Sequence, residues 1–348
     1  MTAVLIPAYE PEMILVDYVR RLSENGFAVV VADDGSGPEY EEIFCAAEKY
    51  AKVLTFEVNR GKGEMLKAMY AEVLENMPQC GNVVTADSDG QHAVEDVLRV
   101  SKALEGGERF VLGTRDLKRF APIRSRIGNG VSRFVFALSS SFWIYDNQTG
   151  LRGFSRDQLP WMMRVRGSRY DYELSVLWYA ALQGIEICQL PIQTIYFDNN
   201  AKTHFRTVKD TFLLYRNLGR CNWVGVVCRA LAVVCLAVAD IFRLGIPWYI
   251  SVPVIWTFTN ALNLLIKKLV IFRGHPLKGA LRSILSSFFA LGMSMLMSAL
   301  LVPGIGFPVS VCWILGKLAA LPLRYFFCRI LSKMAFSAER SLESSVPK

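Results

Sequence analysis

Histidine is scarce in this sequence, three in 348 residues, and none clusters with any of the eight cysteines. No two cysteines have the CxxC spacing, so neither a zinc site nor a disulfide framework is expected, and a reducing compartment fits. Acids nearly vanish from the second part of the chain. Residues 1–220 hold 28 Asp+Glu and 26 Lys+Arg, a net −2, whereas 221–348 hold 3 and 13, a net +10. Bases set between apolar runs suit loops facing anionic lipid, and no basic stripe accompanies aromatic stacking motifs, so nucleic acid is excluded as an expected partner. The opening residues 1–12 lack a basic segment followed by a long apolar core. No secretory signal is expected there, and the first domain is expected in the cytosol.

What is present begins as alternating strand and helix patterns. Apolar residues 4–7 read as a strand, and Ile14, Leu15, Tyr18, Val19 and Leu22 recur at helical spacing within 11–25. A β-branched run at 27–32 ends in Asp33-Asp34-Gly35-Ser36, the acidic turn expected at the carboxyl end of a buried strand. A helix over 38–51, a strand over 53–58, a glycine-bearing loop at 59–63, a helix over 64–76 and strands at 83–86 and 110–113 follow. Repeated β-α units imply a mostly parallel, helix-covered sheet, with ligands bound beyond the carboxyl ends of its strands. The stretch 114–130 is basic and irregular, a candidate acceptor-side element.

From residue 221 the pattern changes to four apolar stretches, about 222–241, 245–266, 281–302 and 305–327, each near the roughly 20 residues that span a bilayer. Four spans put both ends on one side. Lys267, Lys268, Arg273, Lys278 and Arg282 crowd the middle loop, and Arg329, Lys333 and Arg340 the tail. The positive-inside rule then places catalytic domain, middle loop and C-terminus in the cytoplasm. Two domains are expected, 1–220 soluble α/β and 221–348 an all-α four-helix membrane domain. Within the fourth stretch Lys317 needs a partner, and Asp240 is one candidate.

Asp87-Ser88-Asp89-Gly90-Gln91-His92 follows an apolar strand and aims two carboxylates at one point. That donor set suits Mg²⁺ or Mn²⁺ clamping a nucleotide diphosphate. A carboxylate at Asp33 or Asp34 could accept hydrogen bonds from a base or ribose. The loop Asn59-Arg60-Gly61-Lys62-Gly63 has the look of a phosphate-approach loop, yet it lacks the GxxxxGK[ST] spacing, which counts against an ATPase.

Together with Pro7-Ala8-Tyr9-Glu10, these motifs resemble family 2 glycosyltransferases of the Rossmann-like GT-A fold, especially the dolichol-phosphate mannose synthase group. The likeness continues through Gly113-Thr114-Arg115, Arg126-Ile127-Gly128-Asn129 and Asp146-Asn147-Gln148-Thr149-Gly150-Leu151-Arg152, covering about residues 2–218. The resemblance implies an inverting, metal-dependent transfer from a nucleotide-sugar of the GDP-mannose or UDP-glucose type to polyprenyl phosphate. It implies metal binding by Asp87, Asp89 and Gln91, nucleotide-sugar binding by Pro7, Tyr9, Glu10, Asp34, Lys62 and Asp87, and acceptor-phosphate binding by Arg115, Arg126, Asn129, His204 and Arg206. Asp89, Arg115 and Arg126 are the implied catalytic set. The run 260–272, Asn-Ala-Leu-Asn-Leu-Leu-Ile-Lys-Lys-Leu-Val-Ile-Phe, resembles the four-helix GtrA family. That implies an integral membrane protein, of the bacterial inner membrane, whose second half anchors the enzyme or moves lipid; a homo-oligomer is compatible with it.

An ionised lipid phosphate can attack the anomeric carbon without a general base, so such a site needs cations instead. Arg115, Arg124, Arg126, Arg152, Lys202, His204 and Arg206 are available for that task. Asp171 and Glu173 lie where transferases to sugar hydroxyls carry a catalytic carboxylate; a structural role for Glu173 is the competing reading. Polysaccharide synthases usually carry Gln-x-x-Arg-Trp, and no such string occurs. The alternatives are transfer to a saccharide hydroxyl and a lipid-linked sugar transporter with a nucleotide-sugar sensing domain.

Overall fold

The computed structural model describes residues 1–115, 130, 132–133, 136, 140, 142–193, 227–228, 230–238, 240, 245–266 and 280–323. Arg124, Arg126, Asn129, Lys202, His204 and Arg206 lie outside the described residues. Two compact units emerge, one comprising Met1–Arg133, Ile144–Ala180 and Ile185–Asn217, the other Phe134–Trp143, Ala181–Gly184 and Leu218–Lys348.

The first unit is built on a seven-stranded sheet in the order β3-β2-β1-β4-β6-β5-β7. Strand β1 (Thr2–Ala8) is buried along its whole length, and β2 (Ala28–Asp33) almost so. They read as continuous apolar runs because helices cover both faces. β1 pairs in parallel with β2 and with β4 (Asn82–Thr85), and β2 with β3 (Lys52–Thr55). β6 (Arg152–Ser155) runs antiparallel between β4 and β5 (Phe110–Arg115), and β7 (Cys188–Ile192) returns parallel to β5.

Helix α1 (Ile14–Glu24) buries Leu15, Tyr18, Val19 and Leu22, the face that its spacing indicates, while Ile14 stays at the rim. Helices α2 (Glu41–Ala47), α3 (Lys62–Asn76) and α4 (Val94–Glu105) follow β2, β3 and β4. α4 buries Val94, Val97, Val100 and Leu104. Gly153 makes this packing possible, since a Cβ there would come within 2.6 Å of Val100 Cγ1 and 2.9 Å of Leu104 Cδ1. Two further helices are α5 (Leu159–Met162) and α6 (Tyr170–Gln183).

In the second unit, residues 230–238 are helical, followed by α7 (Trp248–Ile266), α8 (Ala280–Ile305) and α9 (Val309–Ala319). Among the described residues one helix, over Ser287–Ile305, is long and apolar enough to cross a membrane, and 309–323 is a shorter apolar helix. The buried face of α8 consists of Ser287, Ala290, Ser294 and Ser298. These small residues let α9 approach closely: a Cβ on Gly316 would lie 2.3 Å from Ser294 Cα. Asp240 accepts hydrogen bonds from Ser310 N and Oγ, both at 3.0 Å. Lys317 Nζ lies over the Trp313 ring, 3.5 Å from its centroid.

Candidate active site

The parallel strands β2, β1 and β4 bring three acidic turns to one sheet edge. Asp33 and Asp34 end β2, Tyr9 and Glu10 follow β1, and Asp87 and Asp89 follow β4. Asp34 is buried, with Oδ1 accepting from Arg60 N at 2.7 Å and Oδ2 from Gly61 N at 2.9 Å. Burial raises its carboxyl above the ordinary value, and those two amides partly offset the rise. Asp33 Oδ1 accepts from Ser36 N, and Ser36 Oγ in turn accepts from Glu10 N, both at 2.9 Å. Glu10 adopts a positive φ of 49°, an uncommon conformation for a side-chain-bearing residue, held by that bond. The Tyr9 phenol is raised by its hydrogen bond with Glu10, then by burial. Pro7 lies inside β1, buried and in register with Ala32.

The glycine loop is explained by packing rather than by open amides. Gly63 N and Glu64 N both donate to Ser168 O, at 2.8 and 3.2 Å, while Arg60 N and Gly61 N are taken by Asp34. A Cβ on Gly61 would sit 2.5 Å from Ser168 O, and one on Gly63 2.6 Å from Tyr172 Cβ. Two of these amides thus hold the loop to the end of β2, and two fasten the start of α3 to Ser168, just before α6. That fastening brings Lys62 and Glu173 together, 111 positions apart in the sequence.

Lys62 Nζ lies 2.7 Å from Asp87 Oδ1 and 3.0 Å from Glu173 Oε2, with its side chain 15% exposed. Burial alone would lower the Lys62 ammonium, but Asp87 and Glu173 outweigh it and hold the group above its ordinary value. Asp87 Oδ2 is 3.1 Å from Nε2 of the buried His92. Burial works against the Asp87 charge; Lys62 and His92 together overcome it and keep the carboxyl well below the ordinary range. Gly150 presses on the same carboxylate, since a Cβ there would fall 2.3 Å from Oδ2. The Gly150 carbonyl accepts from Thr85 Oγ1 at 2.9 Å, which fixes that approach.

Behind this group, Arg152 is 2% exposed and donates to Glu173 O at 2.6 Å and Thr149 O at 2.9 Å. Its Nε lies 3.6 Å from Glu173 Oε1. Arg152 is therefore no cation for an acceptor; it is a buried counter-charge. Arg115 Nε and Nη2 grip Asp146 at 2.6 and 3.2 Å, and that carboxylate is fully buried. This bidentate pair fixes Arg115 at the end of β5.

Asp89 is exposed, and its Oδ1 accepts from Gln91 N at 3.0 Å. Desolvation raises its carboxyl most, and repulsion by the Asp87 charge adds to the rise. A divalent cation relieves that repulsion, and carboxylate oxygens are the donors Mg²⁺ and Mn²⁺ take. Among the described residues no group of three His, Cys, Asp or Glu side chains forms a cage. Asp87 and Asp89 thus fit an ion that is completed by substrate phosphates and water.

The sequence matches the pattern of "Glycosyl transferase family 2" over residues 3–157. An uncharacterised protein of Methanocaldococcus jannaschii is 31% identical over 201 residues, 56% of this chain and 81% of that protein. The chain belongs to glycosyl transferase family 2. It is a glycosyltransferase. A UDP-N-acetylglucosamine–dolichyl-phosphate N-acetylglucosaminyltransferase of Methanococcus voltae is 27% identical over 214 residues, 55% of this chain and 84% of that one. Glucosyl-3-phosphoglycerate synthase from Mycobacterium tuberculosis, crystallised with phosphoglyceric acid, superposes with a TM-score of 0.51 at 18% identity, covering 63% of this chain and 79% of that one. The likeness is one of fold: the mostly parallel, Rossmann-like GT-A sheet, with β6 as its antiparallel member.

Sequence reasoning missed His92, Gly150 and the Lys62–Glu173 pair. The signal for His92 was its place five residues after Asp87 in the same turn. For the other two, only the fold supplies the proximity.

Proposed function

We propose that this glycosyltransferase moves a sugar from a nucleotide-sugar to a polyprenyl phosphate, with inversion, at the carboxyl edge of β1, β2 and β4. The observation that carries the acceptor assignment is the state of Glu173. The carboxylate placed where a hydroxyl acceptor would need a base sits instead between Lys62 and Arg152. An ionised phosphate has no proton to lose, so that arrangement costs the reaction nothing. The similarity to a relative named for transfer to dolichyl phosphate supports the same reading.

In this reading the acidic turns of Tyr9–Glu10 and Asp33–Asp34 line the nucleotide end, and Asp87, Asp89 and Gln91 form the diphosphate end. Asp87 and Asp89 would hold Mg²⁺ or Mn²⁺, which supplies charge neutralisation as the leaving diphosphate departs. A phosphate oxygen of the lipid forms the bond to the anomeric carbon while the bond to the diphosphate oxygen breaks, and the nucleoside diphosphate leaves. Arg115, set by Asp146, would bind the acceptor phosphate, the role proposed as well for Arg126, Asn129, His204 and Arg206. The second unit would hold the enzyme at the membrane that contains its acceptor, with the catalytic unit cytoplasmic.

Membranes carrying the protein, supplied with labelled UDP- and GDP-sugars and undecaprenyl phosphate, test this directly. The expected product is an acid-labile lipid monophosphate sugar identified by mass. Label transferred to saccharide hydroxyls instead, independent of added lipid phosphate, would move the assignment to the hydroxyl-acceptor class.

A further inference from the structure

The Glu173 carboxylate is 10% exposed and stands between two cations, one of which also touches the Asp87 turn. Its Oε2 meets Lys62 Nζ at 3.0 Å, and its Oε1, buried without a hydrogen-bond partner, lies 3.6 Å from Arg152 Nε. Arg152 is itself anchored on three backbone carbonyls, those of Thr149, Glu173 and Asn147. The chain of contacts therefore runs from a rigid, buried base outward: Arg152, Glu173, Lys62, Asp87, His92. Two cations and two carboxylates balance within it, and Asp89 is the carboxylate of this turn that, among the described residues, has no ion pair with a lysine or arginine.

Lysine's ammonium sits on a flexible four-carbon stem and has no preferred fork geometry. Left alone beside a strand-end carboxylate, Lys62 would follow Asp87 wherever that side chain turned. With Glu173 on its other side the ammonium has a fixed seat, and the Asp87 oxygen it touches is fixed with it. Gly150 closes the remaining side of that carboxylate. The geometry points to Glu173 as a positioning residue: it seats Lys62, and through Lys62 sets Asp87, for the diphosphate of the donor. This rests on the donor reading of the Asp87–Asp89 turn given above, and it assigns Glu173 a task unrelated to proton transfer. Removing the Glu173 charge should loosen donor capture and leave the chemical step largely intact.

The test uses the full-length protein in detergent, wild type beside Glu173→Gln, Glu173→Asp, Lys62→Met, Asp89→Ala and the Glu173→Gln/Lys62→Met double variant. UDP and GDP with Mn²⁺ are titrated calorimetrically, and transfer is followed as KM for the donor and kcat across pH. Glu173→Gln is expected to raise donor KM and nucleotide Kd about tenfold while kcat falls only a few-fold. Glu173→Asp should recover part of the loss. The double variant should bind no more weakly than Lys62→Met alone, because both changes break one coupled unit. The pH profile of kcat should keep its shape in Glu173→Gln. A thousandfold fall in kcat with donor KM unchanged, or loss of the acidic limb of the profile, overturns the proposal in favour of a general base. Additive effects in the double variant overturn it as well. If Asp89→Ala binds nucleotide as well as wild type, the donor reading itself fails. If Asp89→Ala binds weakly and Glu173→Gln like wild type, the donor reading stands and the role of Glu173 falls. Lys62→Met keeps Glu173 opposite Arg152 and reports on the same seat should Glu173→Gln not fold.

Discussion

The two units bury polarity in opposite ways. In the α/β unit the central strands are apolar, and buried charges are held in pairs: Glu173 with Lys62 and Arg152, the partly exposed Asp87 with Lys62, and Asp146 with Arg115. In the helical unit the interior face of α8 is serine and alanine, while Phe288, Leu296 and Leu300 point outward. The helical unit also buries a small apolar cluster, Ala232, Leu236, Val252 and Trp313, but its α8–α9 contact rests on small residues that let the two backbones approach. The difference teaches where each unit is sensitive: the first to charge at its edge, the second to volume between its helices.

The largest effect is expected at Asp89. Replacing it with Ala leaves Asp87, already engaged by Lys62 and His92, as the remaining strand-end carboxylate. Transfer should fall at least about a hundredfold while the unfolding transition stays near wild type. Removing divalent ions with EDTA should do the same to the wild type, with recovery on Mn²⁺ or Mg²⁺. Turnover near wild type in the variant would break the metal assignment.

Next is Gly150→Ala, which tests the edge by volume. Its methyl would lie 2.3 Å from Asp87 Oδ2, so either the 146–150 loop or Asp87 must shift. Displacements of about 1 Å near reacting groups cost on the order of a hundredfold in rate. Donor kinetics with a thermal melt would separate a site effect from unfolding; unaltered donor KM and kcat would show that the contact is not needed.

How much of this was legible before the fold was known differs by element. β1, α1 and β2 were readable because apolar period and burial coincide in them, and the turn at residues 87–92 because its two acids are adjacent in sequence. β6 escaped notice: its four residues, Arg152-Gly153-Phe154-Ser155, carry a buried arginine and a glycine where a strand pattern would show branched apolar side chains. The packing of the glycine loop has no sequence signature for a related reason. Glycine marks close approach of something, and here the something was the 167–172 segment of the chain itself. Ion pairs between positions as distant as 62 and 173 have no sequence signature at all.

The helical unit answers the volume test with Gly316→Val. The added atoms must enter space held by the α8 backbone at Met293 and Ser294. Overpacking of this kind costs about 1–3 kcal/mol. Hydrogen exchange across α8 and α9 should rise, while nucleotide binding by the α/β unit is retained. Equal loss of both would remove the contrast between the units.

The smallest expected effect concerns Asp240, an acid in a region that has only 3 in residues 221–348. Helix α9 begins after Pro308, which offers no side-chain cap, so its first amides need partners from elsewhere. Asp240 supplies one: Oδ2 takes both the amide and the hydroxyl of Ser310. A negative group at a helix N-terminus is favoured by the helix dipole as well as by the hydrogen bond itself. Asp240→Ala should therefore cost about 0.5–2 kcal/mol, the usual worth of a cap. Asp240→Asn should cost less, because an amide oxygen still accepts while the charge is gone. The check is local: faster hydrogen exchange at Ser310, Val311 and Cys312, with Lys62 and the strand-edge amides unchanged. Exchange at α9 equal to wild type in both variants would mean that the start of this helix is held by its packing on α8 alone.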